Sequence, residues 1–153
     1  MKIKKGIKMK VKIKLLNDKA KLPIKGSELA AGYDLHACLD RDEFIMPYTT
    51  KKISTGIAIQ CPKGYFGAIF ARSGLATKKG LRPATCVSVL DEDYTGEVFV
   101  PLHNDLKIEQ RVQNEDRIAQ LIFLPVLQNV KFDICDKLED TKRGSGGFGS
   151  TGK

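Results

Sequence analysis

No run in this 153-residue chain is apolar for long enough to cross a bilayer. The most apolar stretch, Ile118 to Val126, is broken by Gln120 and Pro125 and falls far short of the roughly 20 residues a membrane helix needs. The N-terminus is rich in lysine but lacks the apolar block of a secretory leader, because its isoleucine, methionine and valine residues stand singly between lysines. Both absences lead us to expect a soluble, cytoplasmic protein. There is also no CxxC pair. Cys38, Cys61, Cys86 and Cys135 are widely spaced, which favours buried, reduced thiols over two disulfides. His36 and His103, the only histidines, do not sit at zinc-ligand spacing, and this disfavours a zinc site. No stretch carries a long helical period, and no Ser-His-Asp or Cys-His set for covalent catalysis is visible.

What remains reads as many short strands. Fourteen glycines and scattered β-branched residues suit a turn-rich all-β domain. From Met9 to Leu15, apolar residues alternate with lysine, the period of a half-buried strand. Further runs are predicted at Tyr33–Ala37, Lys52–Ile59, Tyr65–Phe70, Val87–Leu90, Glu97–Leu102, Arg117–Leu124 and Val130–Ile134. Pro101 inside one of them predicts an edge or a bulge. One short helix is expected near Ser73-Gly74-Leu75-Ala76. The length suits a single domain over residues 1–140, carrying a basic arm at 1–8 and a flexible glycine-rich tail at 141–153.

The net charge of +8 is unevenly spread. Residues 1–25 hold ten lysines and one aspartate, and the rest of the chain sums to −1. Such an arm suits nucleic acid or an anionic surface, or a strand edge protected against pairing. The edge reading is preferred, since no aromatic residue interleaves the lysines for base stacking.

Five segments carry chemistry. Asp34, within Ala30-Ala31-Gly32-Tyr33-Asp34-Leu35, is an acid in an apolar strand and needs a cationic partner or a metal. Arg72-Ser73-Gly74 follows a strand and opens the expected helix, where a guanidinium, a hydroxyl and free N–H groups converge on an anion. Asp91-Glu92-Asp93-Tyr94-Thr95-Gly96 is either an acidic turn or the seat of a general base. Arg117-Ile118-Ala119-Gln120 sets two polar groups on alternate faces of an apolar strand, and Arg117 is a candidate partner for Asp34. The tail Arg143-Gly144-Ser145-Gly146-Gly147-Phe148-Gly149 fits GxGxxG, yet no helix follows it as that motif requires. Its glycines still allow backbone N–H groups to approach phosphate, with Arg143 as a bidentate cation and Phe148 as a base-stacking ring.

In this order and spacing, the five segments resemble the five motifs of the deoxyuridine triphosphatase (dUTPase) family over Ala31 to Gly152. The resemblance implies a jelly-roll-like, distorted β-barrel of the β-clip type. It also implies a homotrimer whose three active sites are each built from three subunits. The implied reaction is magnesium-assisted hydrolysis of dUTP to dUMP and pyrophosphate, which keeps uracil out of DNA and supplies dUMP for thymidylate synthesis. By this resemblance Asp91 positions the attacking water. Arg72, Ser73, Gly74, Gln120 and Arg143 hold phosphates, while Val87, Ser88, Leu90, Tyr94 and Phe148 hold the nucleoside. Gly144, Gly146, Gly147, Gly149, Ser150 and Thr151 form a lid, and Asp34 reaches magnesium through water. Ser88 departs from the family, which usually has glycine there. The alternatives are a dCTP deaminase-like relative and a regulatory binding protein on the same fold using the basic arm.

Overall fold

The computed structural model describes residues 9–147. In chain order the elements are β1 (Lys12–Leu15), β2 (Ile24–Lys25), β3 (Tyr33–His36), β4 (Glu43–Ile45), β5 (Thr50–Gln60), β6 (Tyr65–Phe70), α1 (Ser73–Lys79), β7 (Leu81–Pro83), β8 (Val87–Leu90), β9 (Glu97–Asn104), β10 (Gln110–Val112) and β11 (Arg117–Pro125). The strands form a four-stranded sheet β1-β5-β9-β7, a five-stranded sheet β2-β3-β11-β6-β8 and a ribbon β10-β4. Every pairing is antiparallel. The architecture is all-β with one short helix, and its sheets do not close into a barrel. No helix among the described residues is long and apolar enough to cross a membrane.

Alternation builds the core. Along β9, Val98, Val100 and Leu102 turn inward and meet Ile53, Ile57 and Ile59 of β5, then Leu35, Ile69 and Leu121 from the five-stranded sheet. Burying each such side chain contributes roughly 1.5–3 kcal/mol, so this one cluster dominates the stability of the domain. Pro101 breaks no ladder. It stands in an inner strand, not at an edge, just past the last β7 pair (Pro83 opposite Leu102). Its carbonyl accepts from the Ala84 N–H at 2.7 Å, so its missing donor faces the point where β7 has ended.

Two bulges shape the site end of the molecule. In β5 the register shifts between Ser54 and Ala58, with Gly56 at φ 65°. The Glu97 carboxylate fills this bulge, accepting from the Gly56 N–H and the Ser54 hydroxyl. In β11 the register shifts between Arg117 and Ala119. That extra residue corrects the expectation that Arg117 and Gln120 lie on alternate faces. A bulge re-aims the side chains beyond it, and both residues line one pocket.

Two further expectations are corrected. Val130–Ile134 alternates as a strand should, yet forms none. Val130, Phe132 and Ile134, on one face by their period of two, are 54%, 89% and 100% exposed. A strand needs a ladder partner, and none is offered within one chain among the described residues. The thiols are free as expected, but only Cys38 and Cys61 are buried, with burial pushing both upward in pKa; Cys86 and Cys135 are exposed.

Candidate active site

Three elements converge on Asp34. It stands in β3, opposite Gln120 of β11, and its carboxylate is almost wholly enclosed, with 12% of the side chain exposed. Arg72, just past the end of β6, donates from Nε to Oδ1 at 2.8 Å, and Arg117 donates to Oδ2 at 3.2 Å. Arg72 also donates to the Arg117 carbonyl at 3.0 Å, which locks the two cations together. Both readings of Arg117 and Asp34 as partners and of Asp34 as an acid needing cations are therefore met. Removing Asp34 would leave two adjacent guanidinium groups without their counter-charge, whereas losing the half-exposed Arg117 costs less because solvent screens it.

Two arginines against one carboxylate leave a net positive pocket of about 200 Å³, with Ser73, Gly74 and Gln120 also on its wall. Arg117, with 52% of its side chain exposed, and the exposed Ser73 face solvent there. Gln120 is fixed by donating from Nε2 to the Ala71 carbonyl at 2.9 Å. Gly32 makes that position possible, since a Cβ at residue 32 would lie 2.9 Å from the Gln120 Oε1 and 3.2 Å from its Cβ. Helix α1 is too short to be stable alone. Its C-terminus is closed by Gly80 at φ 60°, set so tightly under Leu106 that a Cβ would come within 2.5 Å of it.

The second group surrounds β8, the edge strand of the five-stranded sheet. Val87 to Leu90 pair with Phe70 to Gly67 on one side, and among the described residues the other backbone edge has no ladder partner. Cys86 at φ 60° turns the chain into this strand. Leu90 anchors it in the core, while Val87 and Val89 are exposed. The Ser88 hydroxyl bonds the Thr85 hydroxyl at 2.5 Å, across the turn that precedes the strand.

The three acids after β8 have separate fates. Glu92 accepts from the Gly64 N–H at 2.8 Å and from Gln128, and the Gly64 bond above all holds its carboxyl below the usual glutamate range. It is therefore committed to the fold. Asp91 and Asp93 are exposed, and no side-chain hydrogen bond to either occurs among the described residues. Asp91 lines a pocket of about 240 Å³ together with Ser88, Leu90, Tyr94, Lys52 and Phe99. The Tyr94 hydroxyl donates to the Glu97 carbonyl at 2.8 Å. Its ring covers Gly96, where a Cβ would lie 2.7 Å from the hydroxyl. Lys52, its Nζ 3.7 Å from the Phe99 ring centroid, enters this pocket only through the pairing of β5 with β9, which no local motif announces.

The two groups do not meet within one chain. Register places Val87 opposite Phe70 and Leu90 opposite Gly67, so Arg72 and Asp91 lie off opposite ends of the paired strands. At a rise of about 3.3 Å per residue they are roughly 15–20 Å apart. On the tail, Arg143 donates from Nε to the Gly146 carbonyl at 2.8 Å, and Gly144 turns at φ 51°. Gly146 and Gly147 follow, but Phe148, Gly149, Ser150 and Thr151 lie outside the described residues.

The dUTPase family profile matches residues 18–152. The chain belongs to the dUTPase family. It is 49% identical over 147 residues to the deoxyuridine 5'-triphosphate nucleotidohydrolase of Desulfitobacterium hafniense strain Y51, covering 94% of this chain and 97% of that one. It is 42% identical over 142 residues to the protein of the same name from Saccharomyces cerevisiae, covering 93% and 94%. The fold matches that of Staphylococcus bacteriophage 80alpha dUTPase, solved with dUPNHPP, at a TM-score of 0.84 and 24% identity over 94% of this chain and 99% of that one.

Within this family frame Ser88 invites a test. Its hydroxyl already has Thr85 as a partner, while the family resemblance implies a glycine, without a Cβ, at this position. Ser88→Gly is expected to keep or lower the KM for dUTP, with a stability loss of about 0.5–1 kcal/mol from the freer backbone. Steady-state kinetics and thermal melts check both; a raised KM would mean that the serine contacts the base.

Proposed function

We propose that the chain hydrolyses dUTP to dUMP and pyrophosphate, in the cytoplasm, at sites shared between three copies of itself. The observation that carries this reading is Asp91, unpartnered and exposed beside Tyr94 at the end of an edge strand, while its neighbour Glu92 is tied into the fold. Asp91 accepts the proton of a water that attacks the α-phosphorus in line, and the bond to the bridging oxygen breaks to release pyrophosphate. The open backbone edge of Val87 to Leu90 reads the uracil, with Ser88 beside it. Tyr94 lies against the deoxyribose and leaves no room for a ribose hydroxyl. Arg72, Ser73, Gly74 and Gln120 receive the phosphates of the chain, where cations aimed at developing charge lower the barrier without reorganising. Arg143 takes the γ-phosphate, Phe148 covers the uracil, and the glycines 144–149 with Ser150 and Thr151 close over both.

Magnesium fits this arrangement as an ion carried by the substrate. No cluster of three or more His, Cys, Asp or Glu side chains could hold a metal among the described residues. Magnesium commonly relies on substrate phosphates, waters and one or two carboxylates. Among the described residues Asp34 is the only carboxylate lining the positive pocket, and each of its oxygens keeps a lone pair beyond its guanidinium bond, enough to accept a bound water. When bound, the ion neutralises triphosphate charge. Clearing dUTP keeps uracil out of DNA, and the dUMP formed supplies thymidylate synthesis.

Assembly follows from distance. Phosphate-binding groups roughly 15–20 Å from Asp91 cannot serve the same α-phosphate within one chain, whereas a neighbouring copy can bring them together. The exposed, strand-patterned Val130–Ile134 supports the same conclusion. Light scattering on the active protein is expected to give three times the 16.9 kDa chain mass. In parallel, pyrophosphate is expected from dUTP with magnesium. An active monomer would end the shared-site reading, and ammonia from dCTP would replace the hydrolase with a deaminase.

A further inference from the structure

The lysines on and just before β1 are not consumed by the fold. Lys10, Lys12 and Lys14 alternate with Val11 and Ile13; the lysines are exposed, and the two apolar side chains are packed on the core. Lys19, Lys21, Lys51 and Lys137 each hold a carboxylate, whereas none of these three does among the described residues. Residues 1–8, outside the described residues, add Lys2, Lys4, Lys5 and Lys8 and no acid. Beside Lys12 and Lys14, a groove of about 230 Å³ is lined by Ile13, Ala58, Ile59, Gln60 and Thr95, with no carboxylate among the described residues. The register fixes the comb to a rigid sheet, with Lys12 opposite Gln60 and Lys14 opposite Ala58.

We propose that Lys10, Lys12 and Lys14, on and just before β1, form a docking surface for the phosphodiester backbone of nucleic acid, without base contacts. Protecting an edge requires exposed charge, but it does not require a comb of lysines without counter-charges among the described residues. Spacing favours nucleic acid over other polyanions. Alternate residues of a strand are about 6.6–6.8 Å apart, close to twice the roughly 3.4 Å rise per phosphate along one strand of a duplex. A membrane surface fits less well, because Val11 and Ile13, the apolar residues between the lysines, are turned into the protein, and the exposed Met9, Leu15 and Leu16 lie at the two ends of the comb. Without aromatic residues in the comb, recognition is electrostatic and indifferent to sequence.

The test uses the full chain and a fluorescent random-sequence DNA duplex, followed by anisotropy from 50 to 200 mM salt. The wild type is expected to bind at low salt with a steep logarithmic salt slope. K10Q/K12Q/K14Q is expected to lose about 2.7 from that slope, so that the wild type weakens about forty-fold more than the variant across this range. The variant should retain dUTP hydrolysis and its melting temperature, and K10R/K12R/K14R should bind like the wild type. No duplex binding at 50 mM salt, or an unchanged slope in the glutamine variant, would overturn the proposal. So would binding to phosphatidylserine vesicles but not to duplex, which would assign the comb to a membrane.

Discussion

Asp91→Asn is expected to bind dUTP with magnesium as tightly as the parent and to turn it over about a hundred- to ten-thousand-fold more slowly. The amide keeps the size of the carboxylate and can still orient a water, but it cannot take the proton that the water must lose. Folding should be unaffected, because Asp91 is exposed and no side-chain hydrogen bond to it occurs among the described residues. Glu92 makes an informative contrast. Its carboxylate holds the Gly64 N–H and Gln128, so Glu92→Gln should act on stability more than on chemistry. Binding titrations with a non-hydrolysable analogue, set beside kcat, separate the two effects. Turnover within a few-fold of the parent in Asp91→Asn would move the base to Asp93, the other exposed acid of the turn.

Ending the chain after Lys142 should leave a folded protein whose kcat/KM for dUTP falls about a hundred- to ten-thousand-fold. That range follows from two lost contacts: roughly 1–3 kcal/mol for stacking a ring on a base and about 1.5–3 kcal/mol for a charged hydrogen bond to phosphate. The fold should survive because, among the described residues, the core cluster draws on none beyond Phe123. In the present structure the Arg143 guanidinium bonds only the nearby Gly146 carbonyl among the described residues, a contact readily exchanged for a phosphate. Amide exchange at Gly144–Gly147 should slow when the non-hydrolysable analogue is added. Equal exchange with and without it, or full activity in the shortened chain, would remove the tail from the reaction.

Much of this was legible in the residues because the signals were local. Tyr65–Phe70 and Val87–Leu90 fold as strands with the predicted bounds, and α1 begins at Ser73, since alternation and turn residues act over a few positions. Elements of two or three residues, such as β2, β4, β7 and β10, were missed. A pair of residues has no measurable period, and these exist because a neighbouring strand offers a ladder. The bulge at Ile118 was equally silent, although it decides that Arg117 and Gln120 share a pocket. Val130–Ile134 shows the reverse failure: the pattern is present, but no strand partner for it occurs among the described residues. The acids after Leu90 could be counted but not ranked, because Gly64 and Gln128, which claim Glu92, are remote in sequence.

The open edge of β8 bears on how this protein can change over time. A strand displays donors and acceptors along its edge in an order set by the backbone alone, the same for every side chain other than proline. Recognition written there is out of reach of most point mutations. Val87 and Val89 can drift in identity without altering what the edge offers, provided the register against Gly67–Phe70 holds. Mutation can act on such a reader only by bulk, by a proline that deletes a donor, or by a slip of the strand. Discrimination of this kind tolerates sequence variation and fails abruptly when it fails.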